Sequence, residues 1–169
     1  MKMTKLKLMQ NKQFDELYTP VESLDSLLPF IDFIGVGSVV WECAFGTGVL
    51  AKHLEDKGFK VVGNNDFFNS DYKCDMIISN PPYSIKRKFI EKAINLNKPF
   101  AFLVPITTLE GKKSSELFNN GDIQIIIPNK RIDFLKKGSS SWFAVMWITK
   151  GLNLPNQINY FDMKQLEND

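Results

Sequence analysis

The sequence predicts an α/β fold built on a mainly parallel sheet. Short apolar runs alternate with segments of helical periodicity along the chain, and short links join them. No repeat, linker or low-complexity tract interrupts that alternation. At 169 residues, 44% hydrophobic and 24% charged, the composition fits one domain around a packed core and excludes wholesale disorder.

Residues 1–18 are polar, basic and weakly periodic, and read as an N-terminal arm; residues 19–169 read as the single folded domain. Thr19-Pro20 opens a helix, Thr as N-cap and Pro at the first helical position. Val21, Leu24, Leu27, Leu28 and Ile31 then recur at helical spacing until Gly35 and Gly37. Val39 to Trp41 is a short strand, followed by a glycine-containing turn and a helix through Val49, Leu50 and Leu54 to Gly58. Phe59 to Val62 and Met76 to Ile78 are the next strands. Ile85, Phe89, Ile90, Ala93 and Ile94 mark one helix face. Phe100 to Pro105 reads as a buried strand, Leu109 to Leu117 as a helix, Ile123 to Ile127 as a strand, and Trp142 to Ile148 as the last strand.

Several classes drop out. Runs such as FAFLV and IIIP fall far short of the roughly 18 apolar residues that span a bilayer, so no membrane association is expected. The basic N-terminus has no apolar stretch behind it, so no secretory signal is expected and the cytoplasm is the default location. Cys43 and Cys74 alone make no disulfide framework, and they read as small apolar packing groups. Asp25, Asp32 and Glu22 show no ligand pattern, so no metal is predicted. Twenty-one basic against 19 acidic residues permit contact with nucleic acid without arguing for it. His53 reads as an exposed residue on the polar side of its helix.

In a parallel sheet, ligands sit at the carboxyl ends of the strands, near the point where strand order reverses. Two turns fall there. Glu42-Cys43-Ala44-Phe45-Gly46-Thr47-Gly48 follows the first strand: its glycines let backbone approach a ligand, and its acid can accept from an ammonium or a ribose. A plain strand-to-helix turn uses glycine in the same way. Asn80-Pro81-Pro82-Tyr83 follows the strand CDMIIS. Its prolines remove two backbone donors, its carboxamide adds an acceptor, and Tyr83 adds a flat face. That set suits a planar amino group.

ECAFGTG followed by NPPY resembles motifs I and IV of S-adenosylmethionine-dependent N6-adenine DNA methyltransferases. LEGKK, NKRIDF and GSSSWF look like later blocks of the compact, phage-type members, and the resemblance covers about residues 18–150. It implies a Rossmann-like methyltransferase fold: a mostly parallel seven-stranded sheet with a C-terminal antiparallel strand and helices on both faces. It also implies S-adenosylmethionine as cofactor. Thr19, Glu42, Ala44, Phe45, Gly46 and Gly48 would line its methionine and ribose side; Asp66 and Phe67 match a pair touching its adenine. Where the family places an acid for the ribose hydroxyls, this chain has Asn64 and Asn65. Either an Asn substitutes, or Asp66 takes the role, or cofactor affinity falls.

In the family, Asn80 and the Pro81 carbonyl would accept from the target amine, with Pro82 fixing the turn and Tyr83 stacking on the base. Lys86 and Arg87, with Lys88, Lys112, Lys113, Lys130, Arg131, Lys136 and Lys137 around them, are candidates for phosphate contact, against a solvated face for any single lysine. Ser139 and Trp142 are further substrate candidates, whereas Phe134 reads as core. The expected activity is methyl transfer to adenine N6 in DNA. Glutamine N5-methyltransferases share NPPY, so RNA adenine or a protein glutamine amide is the alternative; a non-catalytic cofactor- or nucleic-acid-binding module is a third. Residues 84–169 leave no room for a target-recognition domain, so little sequence preference is expected unless the chain dimerises or borrows a partner. Its Lys, Asn, Ile and Phe usage fits a phage or low-GC bacterium.

Overall fold

The computed structural model describes residues 19–119, 122–132, 134 and 143–167. The expected arm, together with Ser139, Trp142, Lys136 and Lys137, lies outside them. One sheet holds β1 (Val39–Glu42), β2 (Lys60–Gly63), β3 (Met76–Ser79), β4 (Phe100–Pro105), β5 (Ile123–Pro128), β6 (Val145–Lys150) and β7 (Ile158–Phe161). Its order is β2-β1-β3-β4-β6-β5-β7, and β6 alone runs against the rest.

Helices cover both faces. Against one lie α1 (Val21–Asp25) and α2 (Val49–Asp56), whose Leu24, Leu50 and Leu54 pack with Val40, Met76 and Ile78. Against the other lie α3 (Lys86–Leu96) and α4 (Lys112–Phe118); Phe89, Ile90 and Ala93 of α3 pack on Trp41, Ile77, Phe100 and Phe102. All four residues of β3 are buried, as expected of a parallel strand covered on both sides. Each large apolar side chain so buried contributes about 1.5–3 kcal/mol. No helix among the described residues is long and apolar enough to cross a membrane.

Three details refine the sequence reading. The first helix starts at Val21 with Pro20 in the capping position, and it ends at Asp25; two 3-10 turns, Leu28–Phe30 and Asp32–Ile34, continue it. Pro29 cannot donate to the preceding turn and crowds it, so the α geometry stops, yet Leu27 and Ile31 stay fully buried. The antiparallel strand is the sixth, inserted between β4 and β5, and a seventh follows in parallel with β5. That last strand, INYF, has only four residues, and Ile158 and Tyr160 are exposed, so pairing through its backbone makes it a strand. Between β2 and β3, residues 64–75 form a single 3-10 turn, Phe67–Asn69, where such crossovers usually carry an α-helix.

Candidate active site

The chain passes from β1 to β2 on one side, then returns across β1 to lay down β3 on the other. Strand order therefore reverses at the carboxyl ends of β1 and β3, the position where sheets of this kind open a ligand crevice. Glu42 ends β1 and Ser79 ends β3. The Ser79 hydroxyl donates to Glu42 Oε1, and the same oxygen accepts from the Ala44 N–H at 3.0 Å. The two turns singled out in the sequence thus start from one hydrogen-bonded point. Ser79 was missed by sequence reasoning, since a serine in an apolar strand carries no signal until its partner is known.

Glu42 is 1% exposed. Burial pushes its carboxyl up to about 7, against the opposing pull of the bonds from Ser79 and Ala44. A buried acid of this kind is matched to a cationic or hydrogen-bond-donating ligand group. Beside it, burial and then the charge of Glu42 push the Cys43 thiol well up, so Cys43 is an inert packing group. Burial also raises the Cys74 thiol.

The glycine turn has left-handed backbone at Gly46 (φ 51°) and Gly48 (φ 78°), where a side chain would be strained. The exit of β2 props it: Asn65 Oδ1 accepts from Gly46 N–H at 3.0 Å, and the Asn64 carbonyl accepts from Phe45 N–H at 3.2 Å. The half-buried Phe45 ring lies so close to Gly63 that a Cβ there would stand 2.1 Å from Phe45 Cδ2. Gly63 is a second residue sequence reasoning missed, required by space alone.

Asn64, a candidate for the cofactor's ribose, spends its carboxamide elsewhere. Its Oδ1 accepts from Trp41 Nε1 at 3.3 Å, and its Nδ2 donates to Ser70 Oγ at 2.6 Å. Asp66 is exposed, with Oδ1 accepting from Asn69 Nδ2 at 2.8 Å. Phe67, expected at the cofactor's adenine, is 1% exposed, stacked on Phe89 at 5.0 Å and edge-on to Trp41 at 5.0 Å, so its ring offers no open face. The adjacent Phe68 is exposed. Lys92 of α3 holds this segment through the carbonyls of Phe68 and Ser70, at 3.0 and 2.9 Å, and takes the place of a crossover helix. Thr19 and Ala44 are half-buried.

On the other side of the crevice, Asn80 Oδ1 is buried and has no hydrogen-bond partner among the described residues. Such an orphan acceptor costs about 1–3 kcal/mol and calls for an explanation. Pro81 is buried, and the half-buried Pro82 accepts at its carbonyl from Ile85 N–H at 3.1 Å, which closes the turn. Tyr83 is 9% exposed, its ring edge-on to Phe143 at 6.0 Å; Phe143 stacks on the buried Phe134 at 5.7 Å.

The basic residues divide. Arg87 donates to Ser114 Oγ at 2.8 Å and to the Glu110 carbonyl at 3.0 Å, fastening α3 to α4 and to the segment before it. Lys86 donates to the Tyr83 carbonyl at 2.9 Å. Lys88, Lys112, Lys113, Lys130 and Arg131 are exposed. His53, expected to be exposed, is half-buried and bonds Asp25 Oδ1 at 3.2 Å, an oxygen also reached by Lys57 at 3.2 Å. Among the described residues no group of three or more His, Cys, Asp or Glu could hold a metal ion.

No protein-family model and no curated protein sequence matches the chain. Solved structures do. The chain is similar to a putative class I S-adenosylmethionine-dependent methyltransferase from Listeria monocytogenes (TM-score 0.56, 14% identity, 86% of this chain and 65% of that one). It is also similar to a modification subunit of a putative type I restriction enzyme from Vibrio vulnificus (0.54, 15%, 88% and 47%). A dimethyladenosine transferase from Plasmodium falciparum is a third (0.53, 15%, 79% and 62%). The chain thus spans 47% to 65% of the length of these three. At such identities the likeness establishes the fold, which is Rossmann-like and of the methyltransferase type.

Proposed function

We propose that this chain is an S-adenosylmethionine-dependent methyltransferase acting on a planar amine, with adenine N6 in DNA as the target the site suits best. The observation that carries the reading is the orphan Oδ1 of Asn80, buried at the carboxyl end of β3, one residue from the bond that joins this turn to the glycine turn. A buried acceptor left open at a ligand crevice is explained by a donor that arrives with substrate.

The residues present fit the cofactor: a buried acid at the end of β1 and a glycine turn that brings backbone close. When bound, S-adenosylmethionine supplies an electrophilic methyl group on a sulfonium. Glu42 accepts from the ammonium of its methionine part, an arrangement that favours the ionised carboxyl. Asp66 takes the ribose hydroxyls, because Asn64 is committed to Trp41 and Ser70, and Asn65 to Gly46. Asn80 accepts from the target amine and, with the Pro81 carbonyl, holds it in line and draws its nitrogen lone pair out of conjugation. No acid–base group is required for that role; positioning supplies the acceleration. Exposed Lys88, Lys112 and Lys113 offer phosphate contacts, whereas Arg87 serves the scaffold. Two of the similar structures, a restriction modification subunit and a dimethyladenosine transferase, support a nucleic-acid target.

The packing of Tyr83 against Phe143 favours one second reading. A protein glutamine amide is planar, smaller than a base and needs no stacking ring. Transfer of labelled methyl to single-stranded DNA, RNA and protein, run with the native chain and Asn80→Ala, tests both. The variant is expected to lose about 10²–10³-fold in rate, the scale of one preorganised hydrogen bond, while still binding cofactor. A fully active Asn80→Ala removes Asn80 from the chemistry, and labelled protein with unlabelled DNA selects the second reading.

A further inference from the structure

We infer that Ser79 is a positioning residue whose hydroxyl, donating to Glu42 Oε1, transmits cofactor occupancy of the glycine turn to the Asn80–Tyr83 turn. The inference rests on the methyltransferase reading and deepens it. Its basis is how the two strand ends are joined. Backbone pairing between β1 and β3 runs from the Asp75 N–H on the Val39 carbonyl, at 2.8 Å, through Val40 with Met76 to Trp41 with Ile77. On the far side, β3 stays in register with β4 as far as Ser79 and Phe102. Beyond Trp41, the end of β1 therefore reaches the end of β3 through the Glu42 and Ser79 side chains.

Both side chains are buried, so water does not compete for this bond. One oxygen serves both turns: Glu42 Oε1 takes the Ala44 N–H from the glycine turn and the Ser79 O–H from the strand that leads into Asn80. A ligand group that pulls on Glu42 thereby acts on both at once. A donor or cation brought against the carboxyl favours its ionised form, and a hydroxyl bond to a carboxylate is roughly twice as strong as one to a neutral acceptor. Ser79 is drawn in, and the next residue is Asn80, whose Oδ1 has no partner among the described residues to resist or fix it. A mere filler would need only the volume of the serine, which alanine nearly supplies.

Amide hydrogen exchange on the full chain, with and without S-adenosylhomocysteine as probe, separates the two roles. In the native protein the probe should slow exchange about fivefold or more in residues 43–49 and also in residues 83–90. In Ser79→Ala the first segment should keep its protection, while the second returns to within about twofold of its probe-free rate. Ser79→Ala that still protects residues 83–90 as the native chain does overturns the inference. So does a native chain in which residues 43–49 alone respond. If neither segment of the native chain responds at saturating probe, the cofactor reading itself fails, and the inference falls with it.

Discussion

The crevice between β1 and β3 and the loop folded onto the start of β5 treat the same chemical group in opposite ways. At the loop, Gln124 uses its whole carboxamide: Nε2 donates to the carbonyls of Leu154 and Asn156 at 2.8 and 3.0 Å, and Oε1 accepts from Leu154 N–H at 2.8 Å. Asn129 behaves likewise, bonding Asp162 Oδ1 and Met163 N–H, each at 2.9 Å. In the crevice, Asn80 leaves its oxygen buried and without a partner among the described residues, and Glu42 is an acid held 1% exposed. One region spends its polar groups on holding β7 and its approach in place. The other keeps polar groups at a cost in stability, as expected of a place where a ligand completes the structure.

The two regions should differ in what their polar groups contribute to stability. The largest effect belongs to Glu42. Its folded carboxyl titrates at about 7, against 4.5 for the ordinary group. With the folded value raised, the native state holds the extra proton between those pH values, so stability is greatest below about 4.5 and falls as pH rises through 7. The loss is about 3 kcal/mol. Urea unfolding of the ligand-free chain at pH 5 and pH 8 should show it, and Glu42→Gln should remove most of the slope. A native chain whose stability rises across that interval would mean Glu42 is not a strained acid.

Gln124→Ala comes next. It strands three backbone groups at a partly buried site and should cost about 2 kcal/mol in the same unfolding measurement. Cofactor binding, measured by calorimetry, should not change. Gly63→Ala drives a Cβ into the Phe45 ring and should cost about 1–2 kcal/mol while disturbing the glycine turn, read as weaker cofactor binding. Asn80→Ala should cost least: it removes an acceptor with no partner among the described residues, so relief of about 1–3 kcal/mol offsets the packing lost and the variant should be at least as stable as native. A cost above that of Gln124→Ala would mean that Asn80 is an architectural residue like its counterpart.

Much of the fold was legible in the residues. The apolar runs at β1, β3, β4 and β5 and the helical stripe of α3 come from local periodicity, which survives into the folded state. The termination of α1 at Asp25 and the strand character of INYF were not. The first depends on how Pro29 meets a segment whose leucines are still drawn to the core, the second on a partner strand more than thirty residues away in sequence. At the site, ECAFGTG and NPPY were legible because glycine and proline restrict backbone wherever they stand. For Phe67, expected from sequence at the cofactor's adenine, the inward packing was not legible: its neighbour Phe68 has the same side chain, and only packing decides which ring goes inward.

The sequence by itself determined the alternation of strands and helices and the two turns with unusual backbones, since these follow from the steric and apolar character of near neighbours along the chain. Tertiary structure decided that Glu42 and Ser79 meet, that Asn64 is spent on Trp41 and Ser70, that Arg87 bonds Ser114 and Glu110, and that Asn80 Oδ1 is buried with no partner among the described residues. Each of these depends on which groups are brought together across the sheet and which are cut off from water. Desolvation and pairing are properties of that enclosure, and no stretch of sequence carries them alone.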